Sequence, residues 1–79
     1  MKVLFFAQSR EAAGCDHAEV KADAPLPQAD FWHALVELYP ALAVHRKTAR
    51  LARNEAYLLE DELIQPGDEI AIIPPVSGG

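Results

Sequence analysis

Hydrophobic and polar residues follow strand-like patterns near the start of this chain. Val3 to Ala7 is a continuous apolar run, which is typical of a strand buried on both faces. Apolar and polar residues alternate from His17 to Ala22, which predicts a half-exposed strand with its even-numbered side chains inward. Ser9 to Asp16 is polar and contains Gly14, so we expect a connection. These segments together predict a hairpin with a long turn.

The middle of the chain changes to the period of an amphipathic helix. Phe31, Ala34, Leu35 and Leu38 lie at positions i, i+3, i+4 and i+7, so they form one apolar stripe. Pro40 predicts that the helix ends just before it. We therefore expect one main helix that can cover the face of a sheet.

The second half of the chain predicts short elements separated by turns. Ala41 to Lys47 has no clear period, so we expect irregular structure there. Beyond it we expect a strand at residues 49–53, a turn at Asn54-Glu55 and a short strand or extended segment at residues 56–59. One helical turn at residues 61–64 and a turn at residues 65–68 then lead to a last strand at residues 69–73. In the turn at residues 65–68, proline fixes φ and Gly67 permits a positive φ.

The order of these elements favours an α+β fold. The first and last apolar runs are the best candidates for the centre of the sheet, and the helix stripe can bury itself on one sheet face. We predict a β-grasp, ubiquitin-like fold with a mixed sheet of four to five strands packed on one main helix. The predicted domain covers residues 1–73, and residues 74–79 form an extended reactive tail.

The tail carries the most unusual sequence of the chain, Pro74-Pro75-Val76-Ser77-Gly78-Gly79. Two prolines favour an extended path, and six extended residues span at most roughly 20 Å. A carboxylate on two glycines has no side chain beside it, so it can enter a narrow channel in another protein. A bland alternative is a terminus without chemistry.

Composition excludes several classes of function. The chain has 79 residues, a net charge of −5 and one cysteine, so an internal disulfide is impossible and we expect a reducing, cytoplasmic location. No apolar stretch has the length of a membrane span. The basic group Arg46, Lys47, Arg50 and Arg53 is interpreted as a solvated surface, not a nucleic-acid site. The acidic residues between Glu55 and Glu69 can complement a basic partner or serve solubility, and both interpretations stay open.

The body of the chain offers no catalytic site of its own. Cys15 lies two residues from His17, but the loop around them offers no cleft, so an incidental thiol is the favoured interpretation. The three histidines have no metal-ligand spacing, and no phosphate-binding loop or nucleophile motif is present. The terminal carboxylate is therefore the best reactive group. Conversion to an acyl-adenylate with ATP would give it a leaving group that a sulfur nucleophile can displace.

Three segments resemble the molybdopterin synthase small subunits, sulfur carriers of the MoaD/ThiS ubiquitin-like family. They are Lys2 to Gln8 followed by Arg10-Glu11, then Pro66 to Ala71, and finally Pro74 to Gly79. Together they reach from end to end of the chain. The segment from Asp23 to Lys47 carries no signature beyond the position of its helix.

The resemblance implies a cycle that uses the tail. An E1-like adenylyltransferase would activate Gly79 with ATP, and a sulfur donor would convert it to a thiocarboxylate, with Gly78 allowing close approach. The tail would then enter the large subunit of a heterotetrameric synthase and donate sulfur to cyclic pyranopterin monophosphate. The chain itself would bind no cofactor, no metal, no nucleic acid and no membrane.

The resemblance also implies a docking surface beside the tail. Phe6 and Ile73 match its apolar positions, and Tyr57 stands where a smaller aliphatic residue is common. Pro74, Pro75, Val76 and Ser77 would contact the partner as well. Phe6 and Ile73 also fit a purely structural role in the core, although alternation requires Phe5 and Phe6, and Ile72 and Ile73, to face opposite ways.

Two alternative functions stay open at this point. The chain is also compatible with a sulfur carrier for another pathway, either thiamin-thiazole synthesis or tRNA thiolation, or with a ubiquitin-like interaction module whose terminus is chemically idle. The Pro-Pro-Val-Ser segment favours the molybdopterin pathway.

Overall fold

The computed structural model describes residues 1–74 and contains a five-stranded mixed sheet. Its strands are β1 Lys2–Phe5, β2 His17–Glu19, β3 Arg50–Arg53, β4 Ala56–Tyr57 and β5 Glu69–Ile73, and its helices are α1 Gln8–Ala13, α2 Gln28–Leu38 and a 3-10 helix at Pro40–His45. The strand order is β2-β1-β5-β3-β4. β1 and β5 run parallel, and the other neighbouring pairs are antiparallel. This architecture confirms the predicted α+β, β-grasp fold.

The core lies between α2 and one face of the sheet. Val3 pairs with Ile70 and Phe5 pairs with Ile72 across β1 and β5, and all four side chains are buried. Phe31 of α2 is buried in the same cluster. Each such side chain contributes roughly 1.5–3 kcal/mol when it leaves water. The two most apolar runs of the sequence therefore form adjacent inner strands, as predicted.

The connection between β1 and β2 differs from the expected loop because it contains α1. Gly14 ends this helix in the left-handed region at φ 77°, and its N–H donates to the Arg10 carbonyl at 2.9 Å. β1 and β2 pair antiparallel, as predicted. The helix of six residues was missed because it is too short to show a full apolar period.

The main helix is found where it was predicted, but its buried face is rotated. Phe31 and Leu35 are fully buried, whereas Leu38 is 55% exposed, which contradicts its predicted place in the stripe. A helix turns by about 100° per residue, so Trp32 and Leu38 lie on opposite flanks of Leu35. The structure buries the Trp32 flank, where the indole packs in the core cluster.

The connections in the second half are partly as predicted. The segment expected to be irregular contains the 3-10 helix. Asn54 and Glu55 form the β3–β4 turn with φ of 51° and 70°. The predicted helical turn at residues 61–64 is wrong, since Ile64 forms a bridge with Leu26 through two hydrogen bonds of 2.8 Å. The amide of Gln28 donates to the carbonyls of Leu59 and Glu62 at 2.7 and 2.9 Å, and the Glu62 N–H donates to the Leu59 carbonyl at 3.1 Å, so residues 59–62 form a turn held against α2.

The turn before β5 also forms, but not with the expected backbone. The Asp68 N–H donates to the Gln65 carbonyl at 3.0 Å. Gly67 does not have a positive φ, and within residues 1–74 the glycine in that region is Gly14.

The predicted tail, residues 74–79, lies outside the described residues from position 75 onward. Pro74 is half-buried at the end of β5. In the part of the chain that the structure describes, none of the helices is long and apolar enough to cross a membrane.

Candidate functional site

The sheet face opposite α2 carries an apolar depression of about 440 Å³ beside the end of β5. Its apolar lining consists of Leu4, Phe6, Ala52, Tyr57, Ala71 and Ile73. These residues come from β1, β3, β4 and β5 and from the position just after β1. Strand alternation explains the lining, because the neighbouring residues in sequence point into the core.

Phe6 and Ile73 belong to this open face and not to the main core. Phe5 is 2% exposed, whereas Phe6 is 47% exposed. Ile72 is fully buried, and Ile73 is half-buried and lines the depression. The structure thus removes the alternative in which Phe6 is a core residue. An apolar side chain this exposed, beside others on one face, indicates a surface for a partner.

The backbone turns sharply just after Phe6. Ala7 has φ 51° and ψ −122° at the N-cap of α1, a region that residues with a Cβ rarely occupy. The Ser9 N–H donates to the Phe6 carbonyl at 3.1 Å across this turn. Phe6 is therefore fixed between a strand and a helix, although it is part of neither.

Tyr57 joins the depression from the edge strand and has a cationic neighbour. Its ring is 52% exposed, and the guanidinium carbon of Arg50 lies 4.1 Å from the ring centroid. Arg50 is also the pairing partner of Ile73, the last residue of β5. The sequence interpretation placed Arg50 only in a solvated basic group. Arg50 precedes the buried Leu51 in a strand, and this alternation could have predicted that Arg50 lies on the open face.

Arg53, from the same basic group, has a structural role instead. Its guanidinium forms ion pairs with Glu62 and with Asp68, the latter at 2.9 Å, and donates to the Leu63 carbonyl at 3.1 Å. Its side chain is 25% exposed, so the prediction of a solvated residue is wrong for Arg53. Part of the acidic segment between Glu55 and Glu69 thus neutralises an internal cation.

Opposing effects act on the pKa of the Asp68 carboxyl group. Burial raises its pKa, but the hydrogen bond from the Gln65 N–H at 2.8 Å and the Arg53 guanidinium lower it more, so the pKa lies below its ordinary value. In return, the hydrogen bond to Asp68 and the charges of Asp68 and Glu62 raise the pKa of Arg53. This cluster holds the turn before β5, from which the tail continues.

The described residues show no second centre of chemistry. His17 pairs with Asp16 at 2.7 Å, and this hydrogen bond lowers the pKa of Asp16. Cys15 is half-buried with its Sγ 3.9 Å from the Ala13 carbonyl oxygen. Within residues 1–74 no group of three metal-ligating side chains comes together. The predicted reactive and tail residues Pro75, Val76, Ser77, Gly78 and Gly79 lie outside the described residues, so their roles stay predictions.

Comparison with known proteins matches residues 3–79 to the ThiS family. The chain is 38% identical to a molybdopterin synthase sulfur carrier subunit from Chlamydomonas reinhardtii, over 100% of this chain and 98% of the relative. It is 41% identical to the protein of the same name from Escherichia coli, over 100% of this chain and 99% of the relative. The crystal structure of SAMP1 from Haloferax volcanii is similar with a TM-score of 0.83 and 32% identity, over 100% of this chain and 98% of that one. These matches confirm the resemblance seen in the sequence, and the chain belongs to the ThiS family.

Proposed function

We propose that this chain is the sulfur carrier subunit of a molybdopterin synthase and acts in molybdenum cofactor biosynthesis. The observation that carries the proposal is the similarity, over the full length of the chain, to relatives that bear this name in organisms as distant as an alga and a bacterium. The apolar depression at the root of a tail ending in Gly78-Gly79 supports it.

The proposed chemistry occurs on the Gly79 carboxylate. A carboxylate oxygen attacks the α-phosphorus of ATP, pyrophosphate leaves, and an acyl-adenylate forms on an E1-like activating enzyme. A sulfur nucleophile then attacks the acyl carbon, and AMP leaves with the electron pair of the broken C–O bond. When the nucleophile is a persulfide of the sulfur donor, the product is an acyl disulfide. A thiolate then attacks the donor's sulfur, a new disulfide forms, and the thiocarboxylate leaves with the electron pair of the broken S–S bond. Its sulfur is the group transferred to cyclic pyranopterin monophosphate.

The chain contributes presentation of the tail in this proposal, and it binds no cofactor itself. Phe6, Tyr57 and Ile73 would pack against the large subunit while the tail enters its active site. Burial of aromatic and aliphatic side chains at the centre of an interface supplies much of its binding free energy. We expect the complex to be the heterotetramer implied by the resemblance, and we place the reaction in the cytoplasm.

The first prediction concerns the terminal residue. Deletion of Gly79 should abolish sulfur transfer in a reconstituted reaction containing the activating enzyme, ATP, a sulfur donor and the large subunit. The unfolding midpoint should stay unchanged, because a glycine has no side chain that could pack in the core. Intact mass spectrometry should show one oxygen replaced by sulfur in the wild type and not in the deletion.

Gly78→Val provides the matched test of tail width. Its carboxylate is intact, but a β-branched side chain should not fit a channel that closes around backbone. A turnover rate for either variant equal to that of the wild type would contradict the proposal.

The alternative function is a sulfur carrier for another acceptor. The matching family is described only as ThiS, so the experiment has to include this alternative. Supplying the thiocarboxylated chain with cyclic pyranopterin monophosphate and the large subunit separates the two. Product formation supports the molybdopterin role, whereas sulfur transfer only in a thiazole-forming or tRNA-thiolating system supports the alternative.

A further inference from the structure

We propose that Arg50, stacked on Tyr57 beside the last residue of β5, binds an acidic side chain on the molybdopterin synthase large subunit. The inference rests on the proposed function, since it assumes that the tail enters a partner. It adds to that function a charged contact that determines partner choice beside the apolar depression.

The position of Arg50 is the first argument. Arg50 pairs with Ile73 at the end of β5, so it lies where the chain leaves the sheet towards its tail. Leu51 is buried in the core, and alternation places Arg50 on the open face together with Ala52. A protein that covers the depression at Ile73 and Tyr57, two residues of its lining, would therefore lie beside Arg50.

The orientation of the guanidinium is the second argument. Its carbon lies 4.1 Å from the centroid of the Tyr57 ring. Such a cation–π contact restrains the planar group, so less conformational entropy is lost when it forms hydrogen bonds to a carboxylate. Arginine and tyrosine are also the residue types enriched among the strongest contributors to protein interfaces.

The availability of this cation is the third argument. Within residues 1–74, no carboxylate lies within 4.0 Å of the Arg50 guanidinium, whereas Arg53 on the same strand pairs with Glu62 and Asp68. One arginine is used internally and the other faces outward. An uncovered guanidinium that becomes buried in an interface requires a charged partner, because desolvating it alone is costly.

The distribution of charge gives the sign of the partner. Arg46 and Arg50 line one shallow depression of about 400 Å³, together with a single carboxylate, Glu60. At the opposite end of the strands, Glu55 and Glu69 line the far side of the apolar depression. Around Arg50 the basic side chains therefore outnumber the carboxylates by two to one, whereas Arg10 and Asp16 balance each other beside Phe6. This local excess of positive charge favours an acidic partner group at Arg50.

The test compares two charge reversals of equal size in the full chain. Arg50→Glu changes the proposed contact, and Lys21→Glu changes an exposed cation that has no ion pair within residues 1–74. Association and dissociation rates with the molybdopterin synthase large subunit and with the activating enzyme are measured at low and high salt. Arg50→Lys retains the charge but loses the planar fork.

We expect Arg50→Glu to weaken binding to the large subunit by tenfold or more and to reduce the salt dependence of that association. Weaker binding to the activating enzyme alone would overturn the inference. Lys21→Glu should stay within twofold of the wild type, and Arg50→Lys should fall between. Reversal of one acidic residue of the large subunit to arginine should restore the affinity of Arg50→Glu.

The opposite outcomes are distinct. Equal affinities for Arg50→Glu and Lys21→Glu would overturn the inference while leaving sulfur transfer, and hence the proposed function, intact. Tighter binding by Arg50→Glu would show that the partner surface facing Arg50 is basic, which also overturns it. Absence of both binding and sulfur transfer in the wild type would overturn the proposed function and the inference together.

Discussion

At the scale of single residues, Gly14 and Gly67 form a natural pair for comparison. Gly14 has φ 77°, where an L-residue is strained, and Gly67 does not have a positive φ. A Cβ added to either would meet no atom within 4 Å, so the cost of substitution is a property of the backbone alone. Gly14→Ala should therefore lower the free energy of unfolding by about 1 kcal/mol, whereas Gly67→Ala should be neutral or slightly stabilising.

Urea denaturation at neutral pH measures both glycine variants under the same conditions. The loss in Gly14→Ala should come as a shift of the midpoint with an unchanged slope, because the folded surface stays the same. Equal stability of the two variants would contradict the left-handed cap at the end of α1.

Residue alternation was the part of the site that the sequence could predict. Phe5 and Phe6 had to face opposite ways because they are adjacent in an extended segment, and the structure confirms it. Arg50 was missed for a physical reason. An arginine shows no hydrophobic pattern, and its contact with Tyr57 joins two strands through a hairpin whose register depends on the turn at residues 54–55.

At the scale of elements, the ion pairs of Arg53 connect β3 to the turn that precedes β5. The pKa of Asp68 is lowered in the folded protein relative to its ordinary value of 3.8. A carboxyl group whose pKa is lowered by folding stabilises the protein at pH values above its ordinary pKa. That contribution is lost as the pH falls through the pKa of the folded state. The wild type should therefore lose stability from about pH 5 downward, partly through Asp68.

Asp68→Asn tests this linkage. At pH 7 the variant should be less stable by about 1–2 kcal/mol, since hydrogen bonds to charged groups contribute more than neutral ones. The difference from the wild type should shrink as the pH is lowered through the folded-state pKa of Asp68, where the wild-type carboxyl becomes neutral as well. Asp23→Asn, at an exposed carboxyl, should follow the wild-type curve. Parallel curves for Asp68→Asn and the wild type would contradict the assigned role.

The elements themselves were predictable only where a period was long enough. α2 showed two turns of apolar spacing and was found, while α1 has six residues between a strand and Gly14. The local pattern predicts a helical turn at residues 61–64, but this segment forms its hydrogen bonds with Leu26 and Gln28, which lie far away in sequence. Such tertiary contacts override the local secondary-structure preference, and the local sequence pattern does not reveal them.

At the scale of the whole molecule, the sheet has one face covered by α2 and one open face with an apolar centre. Charged residues stand at both ends of that centre, Arg50 at the end of β5 and Glu55 and Glu69 at the other end. The fold therefore presents an apolar surface, the Arg50 cation and the last residue of β5 side by side. A partner of complementary shape and charge can engage all three at once.

Phe6→Asp and Leu63→Asp separate docking from folding. The two side chains have nearly the same exposure, 47% and 45%, but Phe6 lies on the open face and Leu63 lies in the segment before β5. Their unfolding free energies should fall by similar, small amounts, because both side chains are already about half exposed to water.

Binding to the large subunit, measured by calorimetry, should weaken at least tenfold for Phe6→Asp, since a carboxylate would be buried against apolar atoms without a partner. Leu63→Asp should bind like the wild type. Equal losses of affinity in both variants would mean that the interface is not centred on the open face.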